Sequence, residues 1–544
     1  MRSFWIVDRA TDERRQITAR LRVQTDQVAI WVEQDVWHDV RRLEQAAELF
    51  ETHIYSTTRA AFGSEWTPGI DNDPRIHILH TTGLGENVLG YTSSIDEYPD
   101  HVHPLSNQAE MITVNVDRVD VGSPVYNAVL ARQLQRLIQW HQDRNEERWV
   151  KEGLAELAAA LNGFDVTGLR QAYPKQTDTS LTAWTNSESQ RGAAYLFTAY
   201  FHQRFGDAGT RILTAEPANG IAGIDATLEK LGTDLTFEDL FADWLAANTL
   251  DSAPEADGSQ YVYLEIDLHR PTAAAFHDDY PIQVAASVQQ LGADYIVLRG
   301  DVDLRVQFAG QRETSLLSAV PHSGRCAWWS NRADESRTTL TRRFDLSEVE
   351  QATMTFWTWY DIEPHYDYAT VEVSTDGGQH WRILSTTSGT DVDPHSNSPG
   401  WSYTGKSAGW IQEEVNLSDY AGEEVLVRFS YVTDEAIVGE GFLLDDISLP
   451  ELDYEDSVEG GINGWRAEGF LITDGRVPQR YLTLLISRGQ EYAVERLPLE
   501  GGQKAEWTVP LGSADAREFV LVVSAVTPFT ARPAPYQLIA SRQP

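Results

Sequence analysis

After Asp251-Ser-Ala-Pro the apolar residues stop recurring at the three- and four-residue spacing of helices and alternate in the manner of strands to the C-terminus. A chain with this one switch folds as a helix-bearing part followed by all-β parts, because the two periodicities bury their apolar faces in different layers. Length agrees: 544 residues exceed what a single core holds, so about three to four domains are expected. We read residues 1–253 as an α+β domain and 321–452 as a β domain. Residues 254–320 and 453–544 are two further β regions, forming either one domain interrupted by the middle one or two separate small units.

Within the first part, strands are expected at Phe4 to Val7, Ala19 to Val23, Val28 to Val32, Arg75 to His80 and Met111 to Val116. A helix is expected from about Val40 to Ala61, with others near 191–205, 224–232 and 236–248. The stretch AVLARQLQRLIQWHQDRNEERWVKEGLAELAAAL reads as two helical runs broken near Asp143 to Asn145. Val129, Leu130, Leu134, Leu137 and Ile138 make the core stripe of the first run, leaving Arg132 and Arg136 on a neighbouring face. Residues four apart share a face, which is how His-Glu-x-x-His holds one zinc on two histidines and activates its water with the glutamate. Here those places hold Arg132, Gln133 and Arg136. Guanidinium groups have no lone pair to donate, and a neutral amide takes no proton from water near neutral pH. Glu152 and Glu156, on the second run, are either ordinary first-turn carboxylates or the partners of those arginines, which then supply the positive charge that zinc would have supplied.

The frame Trp149, Glu152, Gly153, Ala155 and Glu156 resembles the W-x-x-E-G-x-A-E segment of gluzincin-type secreted bacterial metallopeptidases, hyicolysin-like or related to immune inhibitor A. The resemblance implies a zincin-like N-terminal domain in which Glu152 matches the third zinc ligand. Arg132 and Arg136 fall on the two histidine positions and Gln133 on the catalytic glutamate. Tyr195, in AAYLFTAYFHQRFG, is a catalytic tyrosine by analogy or a core tyrosine. Two functions follow from the resemblance. One is an inactive metallopeptidase homologue, without zinc, that serves binding, adhesion or scaffolding toward an extracellular protein, peptide or glycan. The other is an active zinc metalloendopeptidase with a rearranged site built on Glu152, Glu156 and a distant histidine.

In residues 321–452, Ala327-Trp328-Trp329-Ser330-Asn331, Phe356-Trp357-x-Trp359-Tyr360-Asp361, Tyr366-Asp367-Tyr368, Val373-Ser374-x-Asp376-Gly377-Gly378-x-x-Trp381 and Asp445-Asp446-Ile447 resemble the jelly-roll modules of immune inhibitor A-type peptidases. The expected architecture is thus an α+β zincin-like domain followed by a jelly-roll β-sandwich and a further β-sandwich. Asp334, Asp361, Glu363, Asp367, Asp445 and Asp446 sit at expected loop ends and offer the oxygen ligands a structural calcium needs. Asp376 is expected to hold a β-turn. Trp328, Trp329, Trp357, Trp359, Trp381, Trp401 and Trp410 suit either core packing or a sugar-stacking platform.

Composition narrows the partners. With 82 acidic against 43 basic residues the net charge is −39, which repels phosphate and argues against nucleic acid. Cys326, the one cysteine, excludes an intramolecular disulfide and a cysteine-based zinc site, and its neighbours suggest a buried strand position. No run of about eighteen apolar residues is present, so no membrane span is expected. Met1 to Asp8 reads as a strand and not as a signal peptide. Secretion or cell-surface placement is therefore expected from the resemblance alone.

Overall fold

The computed structural model describes residues 1–250, 260–395, 397–434, 437–488, 492–512 and 518–543, so the periodicity switch at Asp251 to Pro254 lies outside the described residues. The chain divides into two units: Met1–Gln311 with Arg480–Val526 and Pro533–Pro544, and Arg312–Gln479 with Thr527–Arg532.

The first unit opens with a six-stranded sheet of β1 (Arg2–Asp8), β2 (Glu13–Gln24), β3 (Val28–Glu33), β4 (Ile76–Thr81), β5 (Gly90–Tyr91) and β6 (Met111–Asn115), in the order β1-β2-β3-β4-β6-β5. Strands β3, β4 and β6 run parallel, and the two-residue β5 lies antiparallel along β6 with Gly90 opposite Val114. Both faces of this sheet are covered. Ile30, Ile78 and Ile112 pack against the helices, while Phe4, Ile17, Leu79 and Met111 form a smaller cluster. With both faces covered, every residue of β4 and β6 is buried, including His77, His80, Thr113 and Asn115.

Helices α1 (Val40–Leu49) and α2 (Tyr55–Phe62) are joined by a π-helical turn, Phe50–Ile54, where the periodicity had suggested one unbroken helix. Helix α3 (Pro124–Gln142) starts where Ser123 Oγ accepts from Tyr126 N and Pro124 occupies the first turn. Helix α4 (Arg148–Leu161) follows after five residues, then the short α5 (Thr167–Arg170) and the long α6 (Glu188–Thr214), capped by Ser187. Gly153 sets the crossing of α4 on α6: a β-carbon there would lie 2.6 Å from both Ala194 O and Thr198 Cγ2. The helices Gly220–Lys230 and Phe237–Leu250 complete this part.

The same unit contains two β-sheets built from chain on either side of the second unit. Asp294–Arg299 pairs with Glu518–Ala525, and Leu304–Gly310 pairs with both Lys504–Val509 and Ala534–Arg542. Tyr295, Leu484, Ile486, Val520 and Val522 join the helical core, and the Tyr295 hydroxyl donates to Leu245 O at 3.0 Å.

The second unit is all β. One antiparallel sheet runs in the order Ile411–Asn416, Thr353–Asp361, Gly441–Leu449, Ala327–Trp329, Leu471–Thr473. The other runs Arg382–Ile383, Tyr368–Ser374, Glu424–Val432, Arg337–Asp345, Arg466–Glu468. Their inner faces share a core that includes Trp328, Leu340, Phe356, Phe429 and Ile447. Thr353–Asp361 alternates strictly, burying Met354, Phe356, Thr358 and Tyr360, while Trp357 and Trp359 lie half-buried on the other face. The ring of His322 stacks on Trp357 at 3.8 Å, so that indole face is occupied. Asp376 Oδ1 accepts from Gln379 N and His380 N, closing a turn. Cys326 corrects a sequence expectation: it is partly exposed, immediately before the strand Ala327–Trp329, with its backbone N–H donated to Glu459. Among the described residues, no helix is long and apolar enough to cross a membrane.

Candidate functional site

The two halves of the α3–α4 hairpin are bridged by ion pairs. Arg132 and Arg136 stand one turn apart on α3, and Glu152 and Glu156 one turn apart on α4, so an antiparallel hairpin matches them crosswise. Arg132 donates Nε and Nη2 to Glu156 Oε2 at 2.8 and 2.7 Å, and Arg136 donates Nη2 to Glu152 Oε2 at 2.8 Å. A third guanidinium arrives from α6, where Arg191 Nη2 donates to Glu156 Oε1 at 2.6 Å. The Glu156 side chain is 1 % exposed, against 34 % for Arg191 and 33 % for Arg136, so the carboxylate is the enclosed partner. Burial pushes the Glu152 carboxyl up, but the pull of Arg136, Arg148 and Arg191 outweighs it and holds the group below its ordinary value. An enclosed carboxylate with this support stays ionised; stripped of one partner it costs about 3–5 kcal/mol.

These donors do not fit zinc. Arginine offers no lone pair, and both oxygens of Glu156 and one of Glu152 already accept from guanidinium groups. Gln133 is tethered toward the β5 edge: its Oε1 accepts from Thr92 Oγ1 at 3.3 Å. Tyr195 lies on α6 and is buried; desolvation pushes its hydroxyl up to about 12, so it stays protonated. Among the described residues, groups of three or more metal-competent side chains occur at Asp71, Asp73 and His77, and at Glu363, Asp367 and Asp434. Neither group includes Glu152 or Glu156. In the first, Trp31 Nε1 donates to His77 Nδ1 at 3.0 Å, which requires the lone pair there and places the N–H on Nε2, facing Asp71 Oδ2 at 3.4 Å. A neutral ring in that tautomer has no nitrogen left for a metal.

The second group is of a different kind. Asp367 is fully buried; its Oδ1 accepts from Asp434 N at 3.0 Å and its Oδ2 from the Tyr431 hydroxyl at 3.3 Å. Desolvation, reinforced by the charges of Asp434 and Asp334, pushes its carboxyl up to about 7. Oxygens of Glu363, Asp367 and Asp434 lie within 4.8 Å of one another, a hard-oxygen set that fits calcium. Asp334 is close enough for its charge to act on Asp367. The other acidic residues singled out in the sequence point elsewhere. Asp361 pairs with Lys406 at 3.0 Å, Asp445 accepts from Ser323 N at 3.1 Å, and Asp446 holds His322 Nδ1 at 2.7 Å.

Two contributors were not found from the sequence. Arg191 precedes Tyr195 by one helical turn, and that spacing was its only signal. Asp434 is brought to Asp367 by the antiparallel register Tyr368↔Val432, which becomes visible only once the strands are paired.

Comparison with known proteins agrees with the β unit. Residues 305–475 match the family described as immune inhibitor A-like, MAM domain. The chain is 29 % identical over 150 residues to the pre-pro-metalloprotease PrtV of Vibrio cholerae, covering 28 % of this chain and 16 % of that protein. It is 29 % identical over 165 residues to immune inhibitor A of Bacillus thuringiensis subsp. alesti, covering 30 % and 23 %. Against bacillopeptidase F of Bacillus subtilis strain 168 it is 30 % identical over 96 residues, covering 18 % and 6 %. The chain thus spans less than a quarter of the length of these relatives, and its similarity to immune inhibitor A-related metallopeptidases holds at low identity. A solved structure of infectious bursal disease virus, Gx strain, is matched at 9 % identity and a TM-score of 0.12, over 48 % of this chain and 40 % of that one, which is no likeness of fold.

Proposed function

We propose that this chain is an exported, peptidase-like binding protein: a zincin-like domain that has lost zinc chemistry, joined to a jelly-roll module, serving adhesion or scaffolding toward a peptide or glycan. The observation that carries this reading is the enclosed Glu156 held by two guanidiniums, Arg132 and Arg191, where a hydrolase of this layout needs histidine nitrogen and a metal-bound water. Secretion or cell-surface placement follows from the similarity to metalloproteases and immune inhibitor A. The jelly-roll module, in this reading, takes one structural calcium at Glu363, Asp367 and Asp434. The ion would tie a loop after one strand to the start of its neighbour.

Elemental analysis of the purified chain tests the central claim. No stoichiometric zinc and no chelator-sensitive cleavage of casein is the expected result; stoichiometric zinc with such cleavage would establish the active enzyme instead. The triple reversion Arg132→His, Gln133→Glu, Arg136→His then asks whether the cleft is otherwise that of a zinc peptidase. Recovered zinc binding is expected, accompanied by lower stability before zinc is added, because Glu156 keeps only Arg191.

A further inference from the structure

We infer that the arginine–carboxylate cage, beyond replacing a metal's charge, is a seat for the carboxylate of a bound peptide; this rests on the proposed loss of zinc chemistry. Four guanidiniums, from Arg132, Arg136, Arg148 and Arg191, act on two carboxylates, Glu152 and Glu156. Arg148 lies one turn before Glu152 on α4, is exposed, and rests over Trp184 at 6.0 Å. Positive charge therefore exceeds negative at this place, in a chain whose net charge is −39. Pairing alone does not require the surplus, since two cations would neutralise Glu152 and Glu156.

Donor capacity is in surplus as well. A guanidinium carries five N–H groups, and Arg136 and Arg191 each commit one Nη2 to a carboxylate. The Nε of each is buried and has no acceptor among the described residues. A third of each of these two side chains nevertheless reaches solvent through atoms other than Nε, so the outer ends of the guanidiniums form a partly open face over an enclosed anionic floor. Planar guanidinium forks match planar carboxylates, and a neutral glycan would draw nothing from the excess charge. The occupant is therefore a carboxylate, from a peptide C-terminus or from an acidic side chain. One more carboxylate brings the seat closer to neutrality and accepts from the outward ends of the guanidiniums, the buried Nε groups being out of its reach.

Calorimetric titration of the full chain at low and physiological ionic strength tests this with three probes: trialanine as the free acid, its C-terminal amide, and triglutamate amide. Binding of the free acid but not of trialanine amide assigns the chain terminus as the source; binding of triglutamate amide assigns the side chain. Either should weaken as salt rises. Arg191→Gln should lower the affinity about tenfold, the size of one lost charge-assisted hydrogen bond. Glu152→Gln should raise it by a similar factor, and because that variant deletes no cation it remains informative if Arg191→Gln fails to fold. The inference falls if no carboxylate probe binds, if trialanine acid and amide bind alike, if Glu152→Gln does not strengthen binding, or if a sulfated oligosaccharide binds where the carboxylates do not. None of these results supplies zinc or proteolysis, so each leaves the loss of zinc chemistry standing.

Discussion

Glu156 and Asp367 are both shut away from water, at 1 % and 0 % exposure, yet their surroundings differ in kind. Glu156 accepts from Arg132 and Arg191, so its counter-charge is part of the chain, placed by three helices. Asp367 accepts from a backbone N–H and a phenol, and other carboxylates surround it. Covalent counter-ions do not dissociate; the second cluster instead draws a proton or a cation from solution. The contrast teaches that equal burial of carboxylates gives unequal dependence on the medium. In the cage the arginines hold the Glu152 carboxyl below its ordinary value, whereas in the acidic cluster burial and like charges push Asp367 up.

The comparison breaks most severely at Arg132. Arg132→Ala leaves Glu156 with Arg191 alone and should destabilise the first unit by about 3 kcal/mol, the lower end for a broken buried pair. Thermal unfolding followed by tryptophan fluorescence reads this; a change under about 0.5 kcal/mol, as for an exposed arginine, would show that the cage carries no structural weight. Calcium sharpens the other side. Added to chelator-treated protein at about one hundred times its dissociation constant, it should stabilise the all-β unit by about 2.7 kcal/mol and leave the helical unit unmoved. A calorimetric scan with no calcium response in either transition removes the proposed ion.

The contrast recurs at smaller scale inside the helical hairpin, where pH separates its members. Glu146 is fully buried with two backbone N–H donors, and desolvation pushes it up to about 8 from an ordinary 4.5. The folded state thus holds a proton that the unfolded state has released, so stability falls as pH rises from about 4.5 toward 8. Glu152, held below the ordinary 4.5, works with the opposite sign: its contribution is present above that value and is lost as the pH falls through its folded value. Glu146→Gln should flatten the decline on the alkaline side by about 1–2 kcal/mol, seen by comparing melting at pH 5 and pH 8. An unchanged slope would mean that other groups set it. The smallest effect is expected at Lys406→Ala, which frees Asp361 from an exposed pair: under about 0.5 kcal/mol, with the calcium response intact. A lost calcium response there would place Asp361 in the cluster after all.

What the sequence disclosed followed the range of its signals. Helical periodicity and four-residue spacing are local, so the α3–α4 hairpin and the candidate pairing of its arginines with Glu152 and Glu156 are legible in the sequence. Arg191 was not, because it reaches the cage only through the crossing of α6 that Gly153 permits. Glu363 and Asp367 were named from loop-end carboxylates, along with Asp361, Asp445 and Asp446, whose side chains turn out to serve Lys406, Ser323 and His322. Composition cannot separate those cases, since each depends on which strand lies alongside. Pairing across the interrupting segment left no local mark either, and the sequence had kept one domain and two units as open alternatives.

That interruption bears on the order of synthesis. Glu518–Ala525 sits in the middle of its sheet, between Tyr481–Arg488 and Asp294–Arg299. The strands of 275–310 leave the ribosome long before their partners, and Arg312–Gln479, the bulk of the second unit, is made in between. A chain cut short of Glu518 would present two raw sheet edges, the surfaces most prone to capture by proteases or by other nascent chains. Glu518–Ala525 therefore closes a sheet whose flanking strands both precede it in the chain, and only a polypeptide translated past that strand can fill the gap.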